Sequence, residues 1–259
     1  RFKTYATYLK KNKLKDFDDL MIQAIHENGY GKTYAHILVD EFQDTNLLQL
    51  QLLKVLIRHD THLFAVGDPD QSIYKFRGSI PNVVDVFIEM FQAKTLFLTH
   101  NYRSYKQILF LANHLLKYDK KRVKKALLPT YQKNGQLFYR KYRNKSIEAE
   151  DVLSYVHALK GTICILSRNN ERLFYIKETI HQAPMFLEMK VNILTMHQSK
   201  GLEFDHVIII GMEQVEIPGQ FFLSHATVQE ERRLLFVAIT RAKKTILFTR
   251  VTNHGTPTQ

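Results

Sequence analysis

The chain has 259 residues, 45% hydrophobic and 24% charged, which is typical of a globular protein with one large or two medium domains. Its single cysteine, Cys164, excludes an intrachain disulfide framework, and its apolar runs are shorter than the roughly 20 residues that cross a bilayer. A formal net charge of +12 favours a polyanionic partner, although many basic proteins bind no nucleic acid.

Short apolar runs alternate with helical patterns along the chain, which predicts parallel sheets covered by helices. The predicted strands are 36–40, 62–68, 95–99, 162–168, 191–196, 205–211 and 245–249. The predicted helices are 45–59, with Thr45 as N-cap, 147–160, 170–182 and 230–242. We expect a domain boundary near 95–104. Because the chain starts at Arg1 without Met or a signal-peptide core, we also expect it to be cut from a longer one.

Two carboxylates follow the first predicted strand in HILVDEFQDTN. Asp40 and Glu41 would lie at the carboxyl end of a strand, where open α/β sheets bind ligands. Such a pair suits Mg²⁺ held by Asp40 and a water molecule oriented and deprotonated by Glu41. An ordinary acidic turn after a strand is the alternative.

The second predicted strand leads into a polar turn and two aromatic residues in AVGDPDQSIYKFRGS, residues 65–79. Gln71 is placed to sense a γ-phosphate or its attacking water. Tyr74 and Phe76, with Arg77 beside them, are typical of a surface on which single-stranded bases stack. An aromatic pair alone is more often part of a core.

Three later segments carry similar chemistry. LTHNYRS (98–104) holds an adjacent Tyr and Arg that suit a base and a phosphate, although such surface pairs also arise by chance. LTMHQSKGLEFDHVIIIG (194–211) predicts a strand, a polar turn with Gly201 and another strand. EERRLLFVAITRAKK (230–244) places Arg241 after a helical stripe.

Lysine and arginine runs at 120–125 and 140–145 indicate either a polyanion contact or a solvated face.

In this order, the five segments resemble helicase motifs II, III, IV, V and VI of the UvrD/PcrA/Rep-type superfamily 1 DNA helicases. The resemblance extends from DFDDL at residue 16 to residue 249. It implies an α/β fold of the P-loop NTPase type with two RecA-like parallel-sheet domains, the first incomplete in residues 1–94 and the second in 95–259. It also implies that ATP, with Mg²⁺, binds between these domains.

The resemblance assigns a role to each matched position. For the nucleotide, it implies Asp40 as Mg²⁺ ligand, Glu41 as catalytic base, Gln71 as the coupling residue, Tyr102 on the adenine, Arg103 on the γ-phosphate, Glu203 on the ribose or triphosphate and Arg241 as second arginine finger. For DNA, it implies Tyr74, Phe76, Arg77, His197 and Ser199. Phe76 stands where the family often has Trp, and Ala238 where Gly is usual.

The phosphate loop GxxxxGK[ST] of that family is absent from this sequence. Gly31-Lys32-Thr33 does not qualify, because His26 occupies the position that requires the first glycine and the segment leads directly into a predicted strand. We therefore expect activity to require a missing N-terminal motor segment, and the chain alone not to hydrolyse ATP efficiently. The family's helical insertion before motif V is reduced here to a junction near 184–190.

The resemblance implies that the intact protein is an ATP-dependent 3′-to-5′ helicase or translocase. Its partners would be single-stranded DNA or single/double-strand junctions, in repair or replication, in a bacterial-type cytoplasm at the nucleoid and not at a membrane. A natural short form that binds DNA or a partner protein without turnover is the alternative. A helicase–nuclease subunit is disfavoured, because no nuclease-type carboxylate cluster follows motif VI.

Overall fold

The computed structural model describes residues 2–80, 82–119, 122, 125–182, 190–213, 216–217 and 225–252, without the side chains of Arg77 and of residues 225–227. The chain forms two compact units, Arg1–Thr95 and Leu96–Gln259. Both contain α-helices and parallel strand pairs, so the predicted α/β fold class is confirmed. Among the described residues, no helix has the length and apolar character needed to cross a bilayer.

The first unit is built around two parallel strands, β1 and β2, with Ile37 opposite Leu63 and Val39 opposite Ala65. Its elements are α1 (Phe2–Lys11), α2 (Phe17–His26), β1 (His36–Val39), α3 (Leu47–Leu56), β2 (His62–Ala65) and α4 (Val83–Phe91). The helices α2 and α3 both begin with a capping box, in which the side chain of the N-cap and that of the third helical residue exchange backbone hydrogen bonds.

One face of the β1–β2 pair is packed and the other is exposed. The four paired residues named above pack against a cluster of Phe42, Leu50, Leu53, Val83 and Phe87. On the opposite face, Leu38 is 75% exposed and Phe64 57% exposed. Parallel sheets are usually covered on both faces. The outer face of this pair, in contrast, exposes apolar side chains to solvent.

The second unit contains a five-stranded parallel sheet in the order β5-β9-β8-β6-β7. A short parallel pair, β3 with β4, lies outside it. The elements are β3 (His100–Asn101), α5 (Lys106–Leu116), β4 (Leu128–Pro129), β5 (Gln136–Tyr142), α6 (Lys145–His157), β6 (Ile163–Ser167), α7 (Asn170–Gln182), β7 (Val191–Thr195), β8 (Phe204–Ile209), α8 (His225–Ile239) and β9 (Ala242–Val251).

The core of the second unit lies where α6 and α7 pack on the sheet. Every residue of β6 is buried, as expected for a central strand of a parallel sheet. The buried cluster contains Ala149, Val152, Leu153, Val156, Ile163, Ile165, Leu173, Ile176, Ile208, Ile210 and Leu247.

Six of the seven predicted strands are present, and the run at 95–99 is not one of them. Leu96, Phe97 and Leu98 are instead exposed and irregular. A strand needs a partner, and the described residues pair this run only at its end, where the Thr99 carbonyl accepts a hydrogen bond from Leu128. The predicted N-cap Thr45 is wrong by one residue, because Asn46 makes the capping bond to Gln49. Apart from Lys190, the predicted junction at 184–190 lies outside the described residues.

Candidate functional site

The first candidate site lies at the carboxyl ends of β1 and β2. Asp40 and Glu41 follow β1 directly, and the Asp40 carboxylate accepts a 2.8 Å hydrogen bond from the backbone N–H of Glu41. Glu41 has a φ of 50° and a ψ of 37°, a left-handed conformation that is uncommon for a residue with a side chain. Such conformations occur at functional sites, where the surrounding structure holds them.

A chain of hydrogen bonds connects Glu41 with the turn that follows β2. The buried side chain of Gln43 donates from Nε2 to the Glu41 carboxylate and accepts at Oε1 from the backbone N–H of Asp68, at 2.8 Å. The Asp68 carboxylate in turn accepts from Nε2 of Gln71 at 2.8 Å. The structure therefore brings the predicted residues Glu41 and Gln71 together through two residues for which no role was predicted.

Two aromatic side chains follow Gln71 closely. Tyr74 and Phe76 make an edge-to-face contact with ring centroids 6.0 Å apart, and Phe76 is 69% exposed. The Phe76 ring is therefore largely accessible to solvent and is not part of the core. The side chain of Arg77, which was predicted to lie beside them, is outside the described residues.

The donor set at this edge suits Mg²⁺ bound together with phosphates. Asp40, Glu41 and Asp68 offer carboxylate oxygens, which are the ligands that Mg²⁺ prefers. Among the described residues, no group of three or more acidic, histidine or cysteine side chains could hold a metal ion by itself. Mg²⁺ in nucleotide enzymes is usually held by one or two carboxylates plus substrate phosphates, so Asp40 fits the role of a single protein ligand.

The second candidate site lies at the amino-terminal ends of β8 and β9. Glu203, just before β8, accepts a 2.7 Å bond from Nε of Arg103 and another of 2.7 Å from Nζ of Lys243. These two hydrogen bonds, first that of Lys243 and then that of Arg103, hold the pKa of Glu203 below its usual value. The site thus carries two cations on one carboxylate, which suits a phosphate-bearing ligand.

The loop that carries Arg103 is fastened to the start of β9. The hydroxyl of Ser104 donates to the carbonyl of Ala242 at 2.6 Å, and the backbone N–H of Tyr105 donates to the carbonyl of Lys243 at 2.9 Å. Tyr102, in the same loop, is 69% exposed. This attachment holds Arg103 close to Glu203 and leaves the Tyr102 ring accessible for stacking.

The predicted second arginine finger, Arg241, is buried. Its Nε donates to the carbonyl of Val237 at 3.0 Å, and its Nη1 donates to the carbonyl of Leu202 at 3.1 Å. These carbonyls satisfy part of the buried guanidinium. In this arrangement the residue fastens the end of α8 to the segment before β8, and contact with a phosphate would require its guanidinium to leave that position.

The predicted DNA contacts His197 and Ser199 lie in the turn after β7. The Ser199 side chain is fully buried, and its hydroxyl donates to the carbonyl of Met196 at 2.7 Å. His197 is half-buried at the same turn. Of the two side chains, that of His197 is therefore the more exposed, while the Ser199 hydroxyl is bonded within the turn.

Some residues beside the predicted site residues were not predicted themselves. Gln43 and Lys243 were not singled out, although both stand inside the matched segments. Asp205 also went unnoticed: it accepts from Nζ of Lys244 at 2.8 Å and from the backbone N–H of Thr162 at 3.0 Å. A polar or charged residue two positions from a predicted site residue was the available signal, but such neighbours are too common in sequences to be informative.

Comparison with known proteins agrees with the two units. The family described as the UvrD/REP helicase N-terminal domain matches residues 1–92. The family described as the UvrD-like helicase C-terminal domain matches residues 96–188 and 181–253.

Individual relatives are helicases by name. A probable DNA helicase of Mycoplasma pneumoniae is 32% identical over 263 residues, covering 93% of this chain and 50% of the relative. The ATP-dependent DNA helicase PcrA of Bacillus subtilis is 35% identical over 198 residues, covering 69% of this chain and 27% of the relative. The ATP-dependent DNA helicase srs2 of Schizosaccharomyces pombe is 36% identical over 166 residues, covering 62% and 19%. The chain spans half the length of the first of these relatives and less of the others.

Proposed function

The chain belongs to the UvrD/PcrA/Rep-type superfamily 1 helicases, and on this premise we propose that it is part of an ATP-dependent DNA helicase or translocase. One observation carries the proposal. The Glu41 carboxylate, next to Asp40, is connected to Gln71 through hydrogen bonds of Gln43 and Asp68, and the exposed ring of Phe76 follows five residues later. The carboxylates suited to a nucleotide site and the aromatic residues suited to stack on bases are therefore connected within the first unit.

We assign the nucleotide chemistry to both units. ATP with Mg²⁺ would supply the phosphoryl group and its charge neutralisation when bound. Asp40 would hold the metal, and Glu41 would orient and deprotonate the attacking water. In the second unit, Arg103 and Glu203 lie 2.7 Å apart on an exposed edge, which supports their roles toward the phosphates and the ribose. Tyr102 would stack on the adenine, and Arg241 would act as the second arginine finger after leaving its carbonyl partners.

We assign single-stranded DNA, or single/double-strand junctions, as the nucleic-acid partner. The net charge of +12 and the exposed Phe76 support this assignment. Tyr74, Arg77, His197 and Ser199 complete the proposed path, with Ser199 acting through the shape of its turn. The proposed direction is 3′ to 5′, and the proposed setting is DNA repair or replication.

We further propose that this chain does not hydrolyse ATP efficiently without a motor segment that carries a phosphate loop. Lys32 and Thr33 support this, because they follow a short 3₁₀ turn and precede β1, whereas a phosphate loop follows a strand and opens a helix. An ATPase assay on the purified chain tests this proposal. Turnover of several ATP per second, a rate on the order of that of ordinary enzymes, would contradict it.

Single-stranded DNA binding, measured against salt concentration, tests the proposed partner. We expect the affinity to fall as the salt concentration rises, because the cationic side chains displace counter-ions that are condensed on the DNA. Phe76→Ala removes one proposed stacking ring and should weaken binding by about 1–3 kcal/mol, or roughly 5- to 150-fold. Phe17→Ala is the matched control, since Phe17 is also highly exposed but lies outside the proposed path. Equal affinities for the two variants would remove Phe76 from the DNA path.

A short form that binds DNA or a partner protein without turnover is the second candidate. The net charge of +12 and the exposed Phe76 support DNA binding, which this candidate keeps without turnover. The gene sequence upstream distinguishes the two. An in-frame phosphate-loop motif supports the helicase, and a stop codon supports the short form.

A further inference from the structure

Gln43 connects two segments of the first candidate site. Its side chain is 1% exposed, and a buried amide needs partners for both its oxygen and its nitrogen. The oxygen accepts from the backbone N–H of Asp68 at 2.8 Å, and the nitrogen donates to the Glu41 carboxylate. Its backbone carbonyl also accepts from the Ser72 hydroxyl at 3.2 Å. One residue therefore holds the segment after β1 and the turn after β2 together.

The direction of these bonds is determined by chemistry. The backbone N–H of Asp68 can only donate, so it must face the amide oxygen of Gln43. The amide nitrogen is then left for Glu41, whose ionised carboxylate can only accept. Among side chains of this length, glutamine alone supplies both an acceptor and a donor, because glutamate lacks the donor and methionine lacks both.

Gly67 allows this close approach. A Cβ at that position would lie 2.6 Å from Oε1 of Gln43 and 3.1 Å from its backbone nitrogen. A side chain there would require either the Gln43 amide or the turn after β2 to shift. Beyond the turn, the Asp68 carboxylate accepts from Gln71 at 2.8 Å, so the hydrogen-bonded connection reaches Gln71.

We propose that Gln43 is a positioning residue that transmits the state of Glu41 to Asp68 and Gln71. The proposal rests on the proposed function for the roles of Glu41 and Gln71, but the connection itself is a property of the first unit. When the Glu41 side chain moves or its hydrogen bonding changes, the amide of Gln43 must follow, because each end has one partner of fixed polarity. The turn that carries Gln71 then shifts as well, so a change at Glu41 reaches the segment that leads to Tyr74 and Phe76.

Amide resonances of Asp68 and Gln71, measured by NMR in the 259-residue chain, test the proposal. Glu41→Gln removes the charge with little change of shape, and we expect it to shift both resonances in the otherwise unchanged chain. In a Gln43→Met background, the same substitution should lose most of that shift. Gln51→Met is the matched control, since Gln51 is exposed on α3, and it should keep the full shift. A full shift in the Gln43→Met background would overturn the proposal.

Gln43→Glu covers the case in which Gln43→Met does not fold. It keeps an acceptor for the Asp68 N–H but sets a second carboxylate against that of Glu41, so it should displace the Gln71 resonance. Adding Glu41→Gln supplies a donor from the other side and should return that resonance toward its wild-type position. A Gln71 resonance that Gln43→Glu leaves unchanged, or that the added Glu41→Gln does not return, would overturn the proposal. These measurements need neither nucleotide nor DNA. A chain that fails to bind single-stranded DNA would therefore contradict the proposed function without deciding the role of Gln43.

Discussion

Arg103 and Glu203 are a hundred residues apart in the sequence and form an ion pair of 2.7 Å in the second unit. The Glu203 carboxylate also accepts from Lys243, so one anion holds two cations at an exposed edge. The negative charge of Glu203 lies beside any phosphate that these two cations bind. Glu203 therefore competes with any anionic ligand of Arg103.

Glu203→Gln should raise the affinity of the chain for inorganic triphosphate. The neutral amide no longer competes for Arg103 and Lys243, and an exposed ion pair of this kind is worth about 0.2–1 kcal/mol, or up to roughly fivefold in affinity. Isothermal titration calorimetry at low salt measures the change. Glu150→Gln, an exposed carboxylate elsewhere on α6, is the control and should leave the affinity unaltered. A lower affinity for Glu203→Gln would show that Glu203 orients the cations rather than competing for them.

Asp205 should make the second unit sensitive to acid. The hydrogen bond from Lys244, then that from the backbone of Thr162, lowers the pKa of Asp205 from 3.8 to about 2. Because the pKa is lower in the folded state, the stabilisation is complete above about pH 4 and is lost as the pH falls toward 2. Asp205→Asn should therefore cost about 1 kcal/mol of unfolding free energy at neutral pH, and the difference should shrink between about pH 4 and 2.

Urea unfolding at a series of pH values measures this difference. Asp60→Asn, at an exposed position of the first unit, is the control. A difference between wild type and Asp205→Asn that stays constant down to pH 2 would contradict the assignment.

Arg172 should be among the most important charged residues for stability. It is 1% exposed, and its Nη2 donates to Glu148 at 2.5 Å and to Glu213 at 2.9 Å, both of them buried. Arg172→Met leaves two buried carboxylates without their cation, which should cost about 3–5 kcal/mol of unfolding free energy. The control, Arg140→Met, breaks the more exposed ion pair with Asp151 and should cost about 1 kcal/mol or less. Equal losses in denaturant unfolding would contradict the difference in burial.

Cys164 should be unreactive in the folded chain. It is fully buried in β6, and burial raises the pKa of its thiol to about 12. Since the thiolate is the reactive form, labelling by a disulfide reagent at pH 8 should occur only as fast as the second unit opens. Urea should accelerate the reaction to the rate of a free thiol. Rapid labelling without urea would show that β6 is accessible.

The local sequence predicted those helices and strands whose own composition determines how they are buried. The fully buried β6 was predicted from its continuous apolar run, and α7 was predicted with its observed ends at 170 and 182. The strand β5 was missed because Gln, Arg and Lys interrupt the apolar and aromatic residues of its QLFYRKY sequence, a composition that its place at the edge of the sheet makes acceptable. The predicted strand at 95–99 was wrong for the opposite reason. Its sequence is apolar, but a strand forms only where another strand is present to pair with it.

The ion pairs and hydrogen bonds of the predicted site residues join segments that lie far apart in the sequence, so no local sequence pattern predicts them. Position in a matched segment identified Arg103 and Glu203 individually, but not their ion pair. The burial of Arg241 and Ser199 also could not be predicted, because charged and polar residues are buried only when partners elsewhere satisfy them. Their roles toward nucleotide and DNA remain predictions.

The exposed outer face of the β1–β2 pair implies unequal thermal resistance of the two units. Leu38 and Phe64 remain largely in water after folding, so they add little to the stability of the first unit, whereas β6 is covered on both sides. Heating should therefore melt the chain in two steps, with two heat-absorption peaks, and the first unit should unfold first. A protease added between the two peaks would digest that unit and leave the later-melting, carboxyl-terminal part of the chain as a resistant fragment.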